Sequence, residues 1–254
     1  MTPPSETLII MNSFSIKTEN LSKSFGAVKA LKGVSFDFSE GLLHGLIGSN
    51  GAGKTTAMRL LAGLLRPSSG SITYFKDGKA ADFAEFRPGL AYMPQQASLY
   101  PDLSIEEHLE FFRALYRLDA ETYARRSAGL LEITRLGKFL KRRAGQLSGG
   151  MYKKLGLMCA LLQSPSALLL DEPTNGVDPI SRREFWELLY GLAADRVLVI
   201  VSTAYMDEAE RCARVHLLDD GTLLASGEPR AVLEEAGAAG FEEIFIRRGK
   251  GAER

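Results

Sequence analysis

Nine residues constrain this chain more than any others: Gly48-Ser49-Asn50-Gly51-Ala52-Gly53-Lys54-Thr55-Thr56 fits the phosphate-binding pattern G-x-x-x-x-G-K-[ST]. Glycines at 48, 51 and 53 let the backbone wrap closely around phosphate oxygens, with amide N–H groups turned inward. The flanks suit such a loop. Leu42 to Ile47 is a short apolar run of the kind that forms a buried strand, and Lys54 to Leu65 has helical periodicity through Met58, Leu61 and Leu65. The positive end of that helix dipole would stand behind the bound anion. Lys54 is expected to reach the β- and γ-phosphates and the Thr55 hydroxyl to ligate Mg²⁺. The competing reading, a glycine-rich turn before an ordinary helix, leaves Lys54 and Thr55 without a task.

A second apolar run, Ala167 to Leu170, ends in Asp171-Glu172-Pro173. Two carboxylates at the carboxyl end of a buried strand stand where ligands gather in open α/β sheets. Asp171 suits a Mg²⁺ shell and Glu172 suits polarising an attacking water. Leu147-Ser148-Gly149-Gly150 opens a further helix that runs through Leu155, Met158 and Leu162. Serine and glycines at a helix start make a second candidate anion site, although as an isolated tetrapeptide this is also an ordinary capped helix.

Order and spacing are more specific than any single motif. The phosphate loop, Tyr92-Met93-Pro94-Gln95, Leu-Ser-Gly-Gly at 147–150, Asp171-Glu172 and Asn175-Gly176-Val177-Asp178 follow one another in a way that resembles the nucleotide-binding subunits of ABC transporters over residues 14–230. The resemblance implies an α/β fold, a P-loop NTPase with a RecA-like core, an antiparallel β-subdomain and an α-helical subdomain. It implies ATP and Mg²⁺ as ligands, and a homodimer or a heterodimer with a second nucleotide-binding chain. Ser148 and Gly150 would then act on the partner's nucleotide. By the same resemblance Gln95 senses γ-phosphate and metal, Asp178 couples the two sites, and Phe25 stacks on adenine where a tyrosine is usual. For Phe25 a place in the core is the alternative. The expected site is therefore Glu172 and Gln95 for catalysis and Thr55, Gln95 and Asp171 for the metal. Phe25, Gly48, Ser49, Asn50, Gly51, Ala52, Gly53, Lys54, Thr55, Thr56, Ser148, Gly149, Gly150 and Asp178 would hold nucleotide.

Four positions depart from the family pattern. Ser49 replaces a frequent proline, Met151 a frequent glutamine and Lys154 a usual arginine, the methionine being familiar from exporters of the ABC-2 type. The fourth is Ala204, in Ser202-Thr203-Ala204-Tyr205-Met206-Asp207-Glu208-Ala209, where the family places a histidine that contacts the γ-phosphate. Alanine forms no such bond, and loss of a positioned group typically costs ~10²-fold in rate. The expectation is a site that binds ATP and turns it over slowly, within an asymmetric motor whose other nucleotide-binding chain keeps the histidine. The wording around Asp178 to Trp186 and Ser202 to Glu210 resembles the amino-terminal half of tandem ATPases that serve ABC-2 exporters. A homodimer that tolerates alanine is the alternative.

The rest of the chain fits such a subunit. Lys plus Arg equal Asp plus Glu at 31 each in 254 residues, so no global field draws nucleic acid, and the Lys141-Arg142-Arg143 cluster is local. Cys159 and Cys212 fall in helix-like segments and suit reduced thiols. No apolar run approaches the ~18 residues of a membrane span, hence no span of its own is expected; the resemblance implies a place on the cytoplasmic face of the membrane, beside a transmembrane permease subunit. Met1 to Ser13 lacks a secretion signal's basic start and is expected to be a disordered leader, with Met11 a second candidate start. One ATPase domain is expected over 14–236, with the helical subdomain about 97–163 and a charged tail at 237–254. Rival classes are a soluble ATPase acting on ribosomes or DNA and a regulatory module that binds ATP. The ribosome-acting kind carries a charged linker absent here. The DNA-repair kind inserts coiled coils that the 52-position spacing from Gln95 to Leu147 does not hold.

Overall fold

The computed structural model describes residues 13–96 and 99–252. The expected leader lies outside them but for Ser13, as does the expected start of the helical subdomain at 97. In chain order come β1 (Phe14–Phe25), β2 (Val28–Val34), β3 (Asp37–Phe38), β4 (Leu43–Ile47), α1 (Lys54–Leu61), β5 (Ser69–Lys76), β6 (Lys79–Ala81), α2 (Phe83–Phe86) and β7 (Leu90–Met93). Next are α3 (Ile105–Tyr116), α4 (Ala120–Thr134), α5 (Gly149–Leu161), β8 (Ala167–Asp171), α6 (Pro179–Ala194) and β9 (Leu198–Thr203). The chain closes with β10 (Arg214–Asp219), β11 (Thr222–Gly227), α7 (Pro229–Ala236) and α8 (Phe241–Ala252).

Among the described residues the strands form two sheets. One is ordered β11-β10-β4-β9-β8-β7, parallel except for the β10–β11 hairpin. Its strands are unbroken apolar runs because both faces are covered. Leu168, Leu170, Val199 and Val201 enter a core shared with α5 and α6, while Ala167, Leu169, Leu198 and Ile200 enter a second core with α1. Cutting one such leucine to alanine costs ~2–5 kcal/mol. The other sheet, ordered β2-β1-β5-β6 with β3 on β1, is antiparallel and carries Phe14, Ile16, Leu31, Val34 and Phe38 into the second core. The phosphate loop thus lies where the two sheets meet.

The helix α3 opens on a capping box. Ser104 Oγ accepts the Glu107 N–H at 3.2 Å and Glu107 accepts the Ser104 N–H at 2.7 Å. The Ser104 N–H, and after it the Ser104 hydroxyl, hold the Glu107 carboxyl below its ordinary range. Ile105 and Leu109 of α3 are buried, with Phe112 and Tyr116 packed beside them.

Two expectations need correction. The α1 helix stops at Leu61 rather than running to Leu65, because Gly63 turns into the left-handed region (φ +68) and sits against the Phe83 ring. The charged tail carries the 12-residue helix α8. Phe241 is buried and Ile244 and Phe245 pack on the main core, an i, i+3, i+4 stripe obscured by the charges around it.

Candidate active site

The loop from Gly48 to Gly53 joins β4 to α1. Gly48 is required by close approach: a Cβ there would stand 2.1 Å from the Leu218 carbonyl oxygen. Gly53 combines both constraints, with φ +104 and a Cβ position 2.5 Å from the Ala30 oxygen. It caps α1 without any side-chain hydrogen bond, and no acidic residue occupies the first turn. The opening N–H groups of the helix are therefore left for an external anion. A pocket of about 350 Å³ opens over them, lined by Val28, Lys29, Ala30, Asn50, Gly51, Gly53, Lys54, Thr55, Thr56, Gln95, Glu172, Asp220 and Gly221.

The sequence separates Lys54 and Glu172 by more than a hundred positions, yet the fold pairs them. Lys54 Nζ lies 3.1 Å from Glu172 Oε1, with side chains only 4% and 8% exposed. The ammonium also donates to the carbonyls of Gly48 at 2.8 Å and Ser49 at 3.0 Å, so it folds back on its own loop. Glu172 has a left-handed backbone (φ +47), a strained conformation for a side-chain-bearing residue at the end of β8. Its Oε2 accepts from Gln95 Nε2 at 2.7 Å and Asn175 Nδ2 at 3.3 Å. Asp171, fully buried beside it, accepts from Ser202 Oγ at 2.5 Å and the Tyr92 hydroxyl at 3.4 Å. Burial and then the Asp171 charge push the Tyr92 phenol up to about 12.

The remaining predicted residues stand elsewhere. Ser49 and Ala52 belong to the loop without lining the pocket, and Gly48 is buried beneath it. Phe25 is 49% exposed at the end of β1, with Lys23 Nζ 5.2 Å from its ring centre, which overturns the core alternative. Ser148 caps α5 by accepting the Met151 N–H at 3.3 Å and is exposed with Gly149. Asp178 caps α6, taking the N–H groups of Ser181 at 2.9 Å and Ile180 at 3.1 Å, and the Ser181 N–H holds its carboxyl low. The two caps are neighbours: a Cβ on Gly150 would lie 2.4 Å from Ser181 Cβ. Ser148, Gly149 and Asp178 therefore share one exposed face, over the buried Gly150 and outside the pocket that holds Lys54.

The ABC transporter family model matches residues 31–175. The chain belongs to the ABC transporter family. It is 44% identical over 233 residues to the probable multidrug ABC transporter ATP-binding protein YbhF of Escherichia coli K12, covering 91% of this chain and 40% of that protein. A Nod factor export ATP-binding protein I from Burkholderia orbicola is 35% identical over 231 residues, covering 91% of this chain and 76% of that one. The structure of an ATP-binding subunit of an ABC transporter superposes with TM-score 0.79 at 30% identity, covering 92% and 98% of the two chains. The dimeric bacterial cassette MJ0796 gives 0.73 at 26%, covering 84% and 98%.

In this cassette Ala204 borders a cavity of about 160 Å³ together with Asn50, Glu172, Asn175, Thr203 and Tyr205. None of the three histidines reaches it. His44 and His216 bond each other at 3.3 Å in the core, and His108 Nε2 accepts the Tyr100 N–H at 3.0 Å. Of the other departures, Ser49 is exposed, Met151 packs on the core, and Lys154 pairs with Glu184. Sequence reasoning gave no individual role to Tyr92, Lys153, Asn175, Ser202 or Tyr205. Lys153 donates to the Gln95 carbonyl at 2.8 Å. Ser202 was legible in part, since parallel pairing of two recognisable strands sets it opposite Asp171.

Proposed function

We propose that this cassette binds MgATP and hydrolyses it as the motor subunit of an exporter, pairing with a second nucleotide-binding chain beneath a membrane-embedded permease. The observation that carries the reading is Glu172: a carboxylate on a strained backbone, hydrogen-bonded to Gln95 and Asn175, facing the open phosphate loop. Phosphates would take the loop amides and Lys54, with adenine toward Phe25 and the edge of β2. Thr55, Gln95 and Asp171 offer hydroxyl, amide and carboxylate oxygens, a hard donor set that suits Mg²⁺. Gln95 fits because its nitrogen serves Glu172, which makes the amide oxygen the atom a cation would take. Glu172 would accept the proton of the attacking water.

Export, a permease and a paired cassette are supported by relatives named for multidrug and Nod factor export and by the dimeric neighbour. The neighbouring caps of α5 and α6 support a face that completes the other chain's site through Ser148, Gly149, Gly150 and Asp178. No helix among the described residues is long and apolar enough to cross a membrane, so a membrane path has to come from another chain or segment. The test is Glu172→Gln, which keeps acceptor capacity for Gln95 and Asn175. It is expected to retain MgATP binding while phosphate release falls by ~10²-fold or more. Lys54→Ala is expected to lose binding itself. Equal phosphate release by Glu172→Gln and the unaltered chain would favour the regulatory reading.

A further inference from the structure

Among the described residues the Glu172 carboxylate has three polar partners, and two are groups that a bound nucleotide would compete for. Lys54 is the cation of the phosphate loop and Gln95 stands at the pocket mouth. The third, Asn175, lies outside the pocket that would receive phosphates and is bonded in turn to the hydroxyl of Tyr205 at 3.3 Å. The polarity of this chain of bonds is fixed. A carboxylate only accepts, so the Asn175 amide must turn its NH₂ to Glu172; its oxygen then faces Tyr205, whose hydroxyl has to donate. Tyr205 is itself held: the Arg182 guanidinium of α6 lies 4.3 Å from its ring centre, and its N–H donates to Thr203 Oγ1 at 3.0 Å.

We propose that Tyr205 is a positioning residue for Glu172, acting through Asn175 once nucleotide has drawn Lys54 and Gln95 away. The segment that has only a methyl group at Ala204 thus contributes order to the site one residue later. Arg182 lies in the first turn of the helix that Asp178 caps, so the orientation of the acid is tied to the surface carrying the α5 and α6 caps. This inference rests on the reading of the chain as an ATPase.

The experiment is single-turnover hydrolysis with excess protein, alongside fluorescent mant-ATP binding, for the unaltered chain, Tyr205→Phe, Asn175→Ala and the double variant. Tyr205→Phe keeps the ring beneath Arg182 and removes only the donor. The expected result is a rate loss of about 3- to 10-fold in each single variant, unchanged nucleotide affinity, and no further loss in the double variant. An unchanged rate in Tyr205→Phe overturns the proposal, and so does a double variant whose loss is the product of the two singles. Loss of mant-ATP binding in either single variant also overturns it, by showing a role in the fold or in affinity. If the unaltered chain binds mant-ATP with Mg²⁺ and never hydrolyses ATP, the positioning role fails while the nucleotide site stands. If it binds none, the proposed function fails first and takes this inference with it.

Discussion

At the scale of single residues, Ala204 is the position with most to gain. Its side chain ends in a methyl group beside Glu172, and the cavity of about 160 Å³ that it borders has room for a ring. A histidine there places a hydrogen-bonding nitrogen near the site of attack, so Ala204→His is expected to raise single-turnover phosphate release by about 10- to 100-fold. A rate no higher than that of the unaltered chain would mean that Glu172 and its partners already supply what the histidine would add. Choice of variant matters at Glu172 itself. It is buried against Lys54, and cutting either one to alanine strands the other's charge, which typically costs ~3–5 kcal/mol.

At the scale of elements, the contact between α5 and α6 sets the face that carries Ser148 and Asp178. Gly150→Ala would drive a methyl into Ser181, costing ~1–3 kcal/mol. The melting temperature is expected to fall by about 2–10 °C. Gly191→Ala, on α6 with open space around it, is the matched control and should be neutral or stabilising by up to ~1 kcal/mol. The pairing of β4 with β10 makes a different prediction. His44 and His216 meet there, and burial lowers them to about 4 and about 3, with Arg214 lowering both and Asp37 partly opposing for His44. Both are neutral in the folded chain at pH values where the unfolded chain begins to protonate. Stability is therefore complete above about 6.5 and declines as pH falls toward 4 and 3, by up to ~1.4 kcal/mol per pH unit for each proton. Thermal melts from pH 7.5 down to 5 should show it, and His216→Gln should flatten the slope. The strands and most helices behind these predictions were legible in the sequence because β8 and β9 are apolar runs and Ser104 begins a capping box. The Lys54–Glu172 pair and the path from Tyr205 through Asn175 were not. They join segments that only the strand order β4-β9-β8 brings side by side, and no local pattern records that order.

At the scale of the whole molecule, the proposed nucleotide pocket lies between the two sheets, with Val28, Lys29 and Ala30 of β2 on one side and Asn50, Gln95 and Glu172, from loops at the ends of β4, β7 and β8, on the other. A ligand there fastens two bodies of structure, and one present at a hundred times its Kd stabilises the fold by ~2.7 kcal/mol. MgATP at that level is expected to raise the melting temperature by about 5–10 °C, and an unshifted melt would place binding elsewhere. The Lys32–Asp220 ion pair, at 2.5 Å, already ties β2 to the β10–β11 turn across this boundary. The pairing of Lys54 with Glu172 bears on the life of such a chain in a cell. While Lys54 is paired with Glu172 its ammonium is neutralised, and the loop presents little net positive charge. Inorganic phosphate, sulfate and chloride would gain little by entering, because each would take Lys54 from Glu172 and leave that buried carboxylate without a cation. A triphosphate that arrives with its own cation would carry a replacement with it, so the pair would set MgATP apart from the small anions of the cell.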